Sequence, residues 1–333
     1  MKVYSKSVKI TLKFIWHPLI IVLVAHCLFS CSLHESECVK LKPIKTVRAL
    51  SDTIYLSSQV SNLACSDDRY FLSDYYHGIV SFDQNFGSVE KEVVNSLLPT
   101  KPQCYMFSVS GTDDICVYNP AEKMFVCKIR STKWDNVKTE NYQLSFPSRF
   151  ALCGDSIVCS IIKNKMTTAI FHEGLVIKTC CPTIDGFDDI RKPYHSERMT
   201  IYDGMYYFVI GKGLPLVQLY TSDFKMVSSF NLMEIEEIKT TVVQQKTDKP
   251  NSYFVVVQDV YAAGGKIFLL IATKPEGRFR SNKILVLKIT NNILELENFY
   301  ELDDKIYSTF CVNKKGQIVI VNSKSSAIEI YEI

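Results

Sequence analysis

Aromatic and cationic side chains in predicted loops have the chemistry of a ligand-binding site. An arginine guanidinium can hold a carboxylate or sulfate through two hydrogen bonds, and aromatic rings beside hydrogen-bonding groups suit sugar rings. Long loops in compact domains often carry function, and two of them, Pro182–His195 and Lys274–Asn282, are rich in such residues. The candidate ligand-binding residues are Tyr76, His77, Arg191, Tyr194, His195, Arg278 and Arg280. We predict an anionic glycan or an envelope protein with an acidic surface as the partner.

Catalytic motifs are scarce, and we predict no catalytic residue. The sequence contains no Gly-x-Ser-x-Gly elbow and no His-Glu-x-x-His motif. Asp74 with His77, or Asp189 with His195, could form an acid–base pair. The candidates for a polysaccharide lyase, which needs a base and a cation that neutralises a uronate carboxylate, are Tyr76, His77, Tyr194 and Arg278. A glycoside hydrolase or polysaccharide lyase therefore remains an alternative to a binding module, as does a scaffold within an envelope complex.

Metal and cofactor sites are not indicated. The aspartates of Pro182–His195 lack the alternating ligands and terminal glutamate of an EF-hand. No Cys-x-x-Cys and no Cys/His cluster with zinc spacing occurs. Most cysteines lie in apolar runs, which is typical of small buried hydrophobes. Cys116 and Cys127 flank one hairpin turn, and Cys153 and Cys159 flank another, so cross-strand bridges are conceivable.

The N-terminus has the pattern of an export signal. A basic segment is followed by the apolar run Phe14–Ser30, which is short for a membrane span. The run ends in Leu28-Phe-Ser-Cys31, a sequence typical of a bacterial lipobox. We predict a signal peptide at 1–30, a lipidated Cys31 with its tether at 31–42, and one domain at 43–333. The protein is then an outer-membrane lipoprotein, on the periplasmic or the surface face; an uncleaved anchor helix is the alternative.

The charge balance argues against nucleic acid as a partner. The formal net charge is +3, but four of the 38 basic residues are lysines of the leader. Without residues 1–30, 34 basic side chains face 35 acidic ones. We therefore do not expect a globally basic nucleic-acid-binding protein. Apolar content of 47% and charged content of 22% favour an ordinary globular domain.

A repeated hairpin organises the rest of the chain. Its first apolar run begins at Phe71, Ile115, Ile157, Tyr206, Ile267 and Ile318. Spacings of 42 to 61 residues indicate blades of a β-propeller with four strands each. Runs such as Ile267–Ile271 are apolar at every position, as expected of strands that pack against a neighbouring blade on both sides.

The ends of the chain predict how the ring closes. Only two residues follow Tyr331, so the last blade lacks a fourth strand, which Ile44–Leu50 or Thr53–Leu56 could supply. We therefore predict an all-β fold: a six-bladed β-propeller with four-stranded antiparallel blades, closed by an N-terminal strand. A short helix is expected in Met233–Gln245. A seven-bladed ring, with a blade hidden in the long fourth interval, and a pair of β-sandwiches are the alternatives.

These features resemble the six-bladed β-propeller lipoproteins of the TolB-like and NHL-like kind. The resemblance rests on the lipobox and on the hairpin Tyr70–Asp83, which Ile115–Ile129 and Gly316–Tyr331 repeat more loosely. It covers about Val39–Ile333 and implies a fold, without implying a reaction.

In such a propeller the loops between second and third strands lie on one face, together with the blade-to-blade links. The cations of these loops are Lys123, Lys163, Lys165, Lys212, Lys274, Arg278, Arg280 and Lys324, and the acids are Asp74, Glu122 and Glu276. We therefore predict a cationic face that attracts anions.

Overall fold

The computed structural model describes residues 38–98, 105–110, 114–128, 135–139, 149–163, 166–182, 197–248, 254–274, 277–303 and 305–333. Within these ranges the strands form six sheets, five with four strands and one with five. The chain is an all-β, six-bladed propeller with antiparallel blades, as the repeat predicts.

The strands follow one another blade by blade. Two short strands come first: β1 (Val39–Lys40) and β2 (Lys45–Val47). Blade 1 holds β3 (Val60–Cys65), β4 (Arg69–Asp74), β5 (Gly78–Asp83) and β6 (Val89–Lys91). Blade 2 holds β7 (Met106–Ser110), β8 (Asp114–Asn119), β9 (Met124–Lys128) and β10 (Asp135–Lys138). Blade 3 holds β11 (Ala151–Cys153), β12 (Ser156–Lys163), β13 (Met166–His172) and β14 (Leu175–Pro182).

The remaining three blades follow the same order. Blade 4 holds β15 (Arg198–Tyr202), β16 (Tyr206–Gly211), β17 (Leu216–Thr221) and β18 (Met226–Asn231). Blade 5 holds β19 (Val257–Ala263), β20 (Lys266–Thr273), β21 (Arg280–Thr290) and β22 (Ile293–Glu301), with β1 added at its outer edge. Blade 6 holds β23 (Tyr307–Val312), β24 (Ile318–Asn322) and β25 (Ala327–Tyr331), with β2 as its fourth strand.

The long interval between blades 4 and 5 contains a helix. The 3-10 helix Leu232–Glu234 leads into α1 (Glu236–Asp248), and a second 3-10 helix spans Val93–Leu97 after blade 1. Ile238 and Val242 of α1 are buried against the cluster between blades 4 and 5. The helix expected near Met233–Gln245 is therefore confirmed, and no seventh sheet occurs among the described residues.

The N-terminal segment closes the ring. Strand β2 pairs antiparallel with β25, and Thr46 lies opposite Glu329. Strand β2 lies within Ile44–Leu50, one of the two segments predicted to supply the missing strand. In the second segment, Thr53–Leu56, Tyr55 forms an isolated bridge to Ala49. Strand β1 pairs in parallel with β22 of blade 5, a contact that the sequence analysis did not predict. The segment therefore pairs with two adjacent blades.

Each inner strand sends alternate side chains into two different cores. In β16, Phe208 and Ile210 pack into the cluster shared with blade 5, whereas Tyr207 and Val209 pack into the cluster shared with blade 3. This placement follows from the two-residue period of a strand, whose side chains point to opposite faces. The all-apolar runs in the sequence arise because both faces of each inner strand are buried.

A recurrent turn shapes the hairpins between second and third strands. Asp74, Asn119 and Asn322 end the second strands of blades 1, 2 and 6, and each is almost fully buried. One side-chain oxygen of each accepts hydrogen bonds from the backbone N–H groups two and three residues later. Residues with positive φ complete these turns: Gly78, Lys123 and Ser326. The acid or amide is therefore a turn-forming residue.

Candidate functional site

A buried ion pair crosses the centre of the ring. The guanidinium of Arg149, which precedes β11, donates from Nε and Nη2 to the two carboxylate oxygens of Asp259 in β19, at 2.7 Å each. Their relative exposures are 5% and 4%. This is the bidentate geometry that makes arginine–carboxylate pairs strong.

The partners of this pair come from other blades. Arg149 also donates to the carbonyl oxygens of Leu63 and Phe310, each at 3.0 Å, and to Thr309 Oγ1 at 3.2 Å. Asp259 accepts from the Thr309 hydroxyl and from the Phe310 N–H. Burial alone would lower the pKa of Arg149, but Asp259 outweighs it and raises that pKa. Because both charges are satisfied internally, this centre stabilises the ring and leaves no free group for a ligand.

A cavity of about 900 Å³ opens at the turns between first and second strands. Its wall includes Cys65, Tyr202, Tyr261 and Val312, at or near the ends of the innermost strands of four blades. Roughly 300–1,000 Å³ is the usual range for small-molecule sites. The cavity lies on the face opposite to the one where the sequence analysis placed the site.

The lining of this cavity combines rings with polar groups. Tyr300 and Phe268 of blade 5 line it together with Asn298, although Phe268 is only 4% exposed. Burial raises the pKa of Tyr300, so its hydroxyl is neutral and can both donate and accept.

Both lysines that line this cavity are paired with carboxylates. Lys266 lies 2.7 Å from Glu297, and Lys314 lies 3.1 Å from Asp67. All four line the cavity. Asp203 adds a third acidic side chain to the lining, so the site offers aromatic and hydrogen-bonding groups and both of its lysines are already engaged.

Two of the sequence-predicted site residues lie on the other face of blade 1. Tyr76 is 70% exposed and contacts Tyr75 edge to face. His77 Nε2 lies 3.2 Å from the Tyr55 carbonyl oxygen. Asp74, considered as an acid–base partner of His77, instead accepts the backbone N–H groups of Ser57, Tyr76 and His77. Asp74 is fully buried and holds the turn.

The other predicted site residues are not brought together with these two by any described contact. Arg278 is exposed in the loop after β20, and Arg280 begins β21 opposite Thr273. Both belong to blade 5, which blade 6 separates from blade 1. Arg191, Tyr194, His195 and the predicted lipidation site Cys31 lie outside the described residues.

The predicted cationic face carries more acidic residues than the loops between second and third strands contain. Lys212 lies 3.3 Å from Glu197, which belongs to the link between blades 3 and 4. Helix α1 brings Glu236 and Glu237 beside Lys274. Lys165 and Glu276 lie outside the described residues. The loop inventory omitted these acids because they belong to the blade-to-blade links.

The cysteines provide one cross-link among the described residues. Cys116 and Cys127 face each other on β8 and β9 and form a disulfide. Cys153 and Cys159, the other pair considered, are both free thiols. Over the same described ranges, no group of three or more His, Cys, Asp or Glu side chains could hold a metal ion. Nor does any described helix have the length and apolar character needed to cross a bilayer.

Two aromatic residues that were not among the predicted site residues indicate the position of the cavity. Tyr202 ends its innermost strand and Tyr261 lies two residues before the end of another, and a glycine-containing turn follows each strand. In a ring, such ends converge on the central axis, so these aromatic residues come together although 59 positions separate them. The cavity could have been predicted from this position in the blade, whereas its shape depends on five blades at once.

Comparisons with known proteins support the fold. No protein-family model and no curated sequence matches the chain. The WD40 β-propeller domain of Doa1 is similar over 88% of this chain and 97% of its own, with 9% identity and a TM-score of 0.51. A streptogramin B lyase is similar over 83% and 94%, with 12% identity and a TM-score of 0.51. The Staphylococcus aureus virginiamycin B lyase, in its inactive form with quinupristin, is similar over 83% and 82%, with 14% identity and a TM-score of 0.50. At such identities the similarity shows architecture alone: the chain is a six-bladed β-propeller.

Proposed function

We propose that this protein is a non-catalytic binding module that holds a glycan in the cavity of about 900 Å³. The observation that carries the proposal is the lining, in which the partly exposed rings of Tyr300 and Tyr202 occur together with the side-chain amide of Asn298. Sugars present apolar C–H faces and many hydroxyls, so they need rings and hydrogen-bonding groups in one place. Tyrosine suits this use because it is apolar over its ring and polar at its tip.

The charge of the cavity favours a neutral sugar over a polyanion. Lys266 and Lys314 are each engaged by a carboxylate of the same wall, at 2.7 and 3.1 Å. An anionic ligand would have to compete with Glu297 and Asp67 for them. We therefore propose a neutral or weakly charged glycan as the ligand, in place of the anionic glycan expected from the sequence.

A glycan array with the full-length chain in detergent tests the proposal. We expect neutral glycans to bind, and Tyr300→Ala to weaken binding by about tenfold, the loss of roughly 1.4 kcal/mol of ring contact. Asn298→Ala should weaken it as well. Tyr76→Ala on the opposite face is the matched control and should leave the affinity unchanged. If Tyr76→Ala weakens binding and Tyr300→Ala does not, the ligand binds on the face predicted from the sequence.

A reducing-end assay on each bound glycan separates binding from cleavage. Intact glycan after prolonged incubation supports a binding module. New reducing ends that disappear with a cavity variant would instead show a glycosidase, and unsaturated ends would show a lyase. Absence of any glycan binding, with envelope proteins co-purifying, would favour a scaffold.

We further propose that the protein is exported and lipidated at Cys31, and is held by this lipid in the outer membrane. The basis is the lipobox Leu28-Phe-Ser-Cys31 after the apolar run Phe14–Ser30. Metabolic labelling with an alkyne fatty acid should mark the wild-type chain, and Cys31→Ser should abolish the label and leave the precursor uncleaved. Cys27→Ser, four positions earlier, is the control and should keep the label. Labelling that survives Cys31→Ser would contradict the proposal.

A further inference from the structure

Two cysteines pack in the core that the first and last blades share. Cys65 ends β3, the innermost strand of blade 1, and Cys311 lies in β23, the innermost strand of blade 6. These two strands are neighbours around the central axis, since the Leu63 N–H donates to Thr309 Oγ1 at 3.0 Å. Cys65 lines both the large cavity and the narrower space of about 100 Å³ within the ring. Reagents in the cavity can therefore reach Cys65.

Two hydrogen-bonding groups lie beside the sulfur of Cys65. Its Sγ lies 3.0 Å from the Tyr261 hydroxyl, and its thiol donates to the Val312 carbonyl oxygen at 3.1 Å, a bond that is lost when the thiolate forms. The Cys311 thiol donates to the Cys65 sulfur, which is the largest of the effects that lower the pKa of Cys65; the Tyr261 hydroxyl and the charge of Arg149 act in the same direction. Burial opposes them, as does Asp67. A thiolate is the nucleophilic form of cysteine.

The two cysteines differ in the way that a reacting and a resolving thiol must differ. Cys65 is partly exposed, whereas Cys311 is fully buried. Burial, followed by the hydrogen bond to Cys65, raises the pKa of Cys311. Of the two, Cys65 is therefore the sulfur that an external reagent meets first, and Cys311 is close enough to react with the product.

We propose that Cys65 is a hydroperoxide-sensitive thiol and that Cys311 resolves it, so that oxidation forms a disulfide between blades 1 and 6 at the edge of the cavity. The Cys65 thiolate attacks the outer oxygen of a hydroperoxide, the O–O bond breaks, and the alcohol leaves after taking a proton from solvent. Cys65 is then a sulfenic acid. The Cys311 sulfur attacks Cys65, the S–O bond breaks, and the hydroxide leaves as water with the Cys311 proton. Two thiols are oxidised by two electrons, and the hydroperoxide is reduced to alcohol and water.

Peptide mass spectrometry of the reduced full-length chain after limited hydrogen peroxide tests the proposal. In the wild-type chain we expect a linked Cys65–Cys311 peptide pair. Cys311→Ala should instead accumulate a sulfenic acid on Cys65 that dimedone traps, and Cys65→Ala should remove both products. Cys159→Ala, which changes a buried thiol in another core, should oxidise as the wild type does.

A second measurement uses the wild-type chain alone and does not depend on how the variants fold. Cys38 is also partly exposed, but burial raises its pKa, so it is a matched reference on the same molecule. At neutral pH, iodoacetamide should alkylate Cys65 faster than Cys38, because a larger fraction of Cys65 is thiolate. Equal or slower alkylation of Cys65, or peroxide treatment that yields no Cys65–Cys311 pair, would overturn the proposal. Neither readout involves a glycan, so this inference can fail while the proposed binding function stands.

Discussion

Arg149 is the residue through which most blades interact at the centre. It belongs to blade 3, pairs with Asp259 of blade 5, and donates to backbone or side-chain oxygens of blades 1 and 6. Replacing it by methionine leaves the Asp259 carboxylate buried without its cation. We expect Arg149→Met to lower the free energy of unfolding by about 3–5 kcal/mol, the usual cost of breaking a buried pair. Urea unfolding followed by tryptophan fluorescence measures this.

The double variant Arg149→Met/Asp259→Leu separates charge from packing. It removes both buried charges, so it should regain a large part of the stability that the single change loses. Lys239→Met is the surface control, since Lys239 and Glu236 are 52% and 66% exposed and their pair should contribute at most about 0.5 kcal/mol. A double variant less stable than Arg149→Met would show that the arginine acts mainly through its contacts with the other blades.

Glu329 makes the stability contributed by blade 6 depend on pH. Burial would raise the pKa of this carboxyl, but hydrogen bonds from Lys305, Asn322, Tyr307 and Tyr331 outweigh it and hold the pKa below its ordinary value. A depressed folded-state pKa contributes stability that is fully present above the unfolded-state pKa, about 4.3 for glutamate. That contribution is lost as pH falls through the folded-state pKa.

Glu329→Gln should therefore reduce the loss of stability between neutral pH and about pH 3, where glutamates become protonated. It should also lower stability at neutral pH, because an amide replaces one oxygen acceptor by a donor. Glu332→Gln, at an exposed position three residues along the same end of the chain, is the control. Unfolding curves at a series of pH values compare the three chains. Parallel pH profiles for Glu329→Gln and wild type would contradict this assignment.

The turn between the second and third strands of blade 1 depends on a single buried side chain. Asp74 accepts the N–H groups of Ser57, Tyr76 and His77 at 2.8, 2.9 and 3.1 Å. Asp74→Ala leaves these donors without their acceptor and should destabilise the protein by about 1–3 kcal/mol. Asp52→Ala, at an exposed position of the preceding link, should change stability by less than about 0.5 kcal/mol. Equal effects of the two substitutions would show that the turn forms without Asp74.

The inner strands could be predicted because each is indicated by an apolar run within its own few residues. Strand β20 is apolar at nearly every position, which only burial on both faces explains, and six such strands at blade-like intervals define the ring. The same reasoning could not find β1, since Val39–Lys40 is exposed and has no pattern of its own. Its position depends on the free edge of β22.

The candidate site was predicted poorly because its parts are distant in sequence. Arg149 and Asp259 are separated by 110 positions, and a lone arginine before a strand resembles any solvated cation. Both faces of a propeller carry turns rich in Asp, Asn and Gly, so composition did not distinguish the face with the cavity from the other. Tyr300 and Asn298 come from β22, the outer strand of blade 5, where the sequence analysis predicted no site residue.

For the whole molecule, the decisive contact is the one that joins the two ends of the described chain. Without β2, the outer edge of β25 would present unpaired backbone groups, the hazard of an open sheet. Val47 packs against the core shared by blades 1 and 6, so β2 also covers apolar surface there. The ring therefore depends on a three-residue strand from the N-terminal side.

Two nested deletions measure this closure. Removing residues 38–42 takes away β1, which only extends a blade that already has four strands, and should cost less than about 1 kcal/mol. Removing residues 38–48 also takes away β2 and should cost roughly 3 kcal/mol, about one hydrogen bond per residue of the strand. The longer deletion should also aggregate at lower temperature and expose blade 6 to proteases, because its β25 edge is open. Differential scanning calorimetry and limited proteolysis compare the two chains. Equal stability of the two deletion variants would mean that packing between the six blades holds the ring closed, and that pairing of β2 with β25 does not.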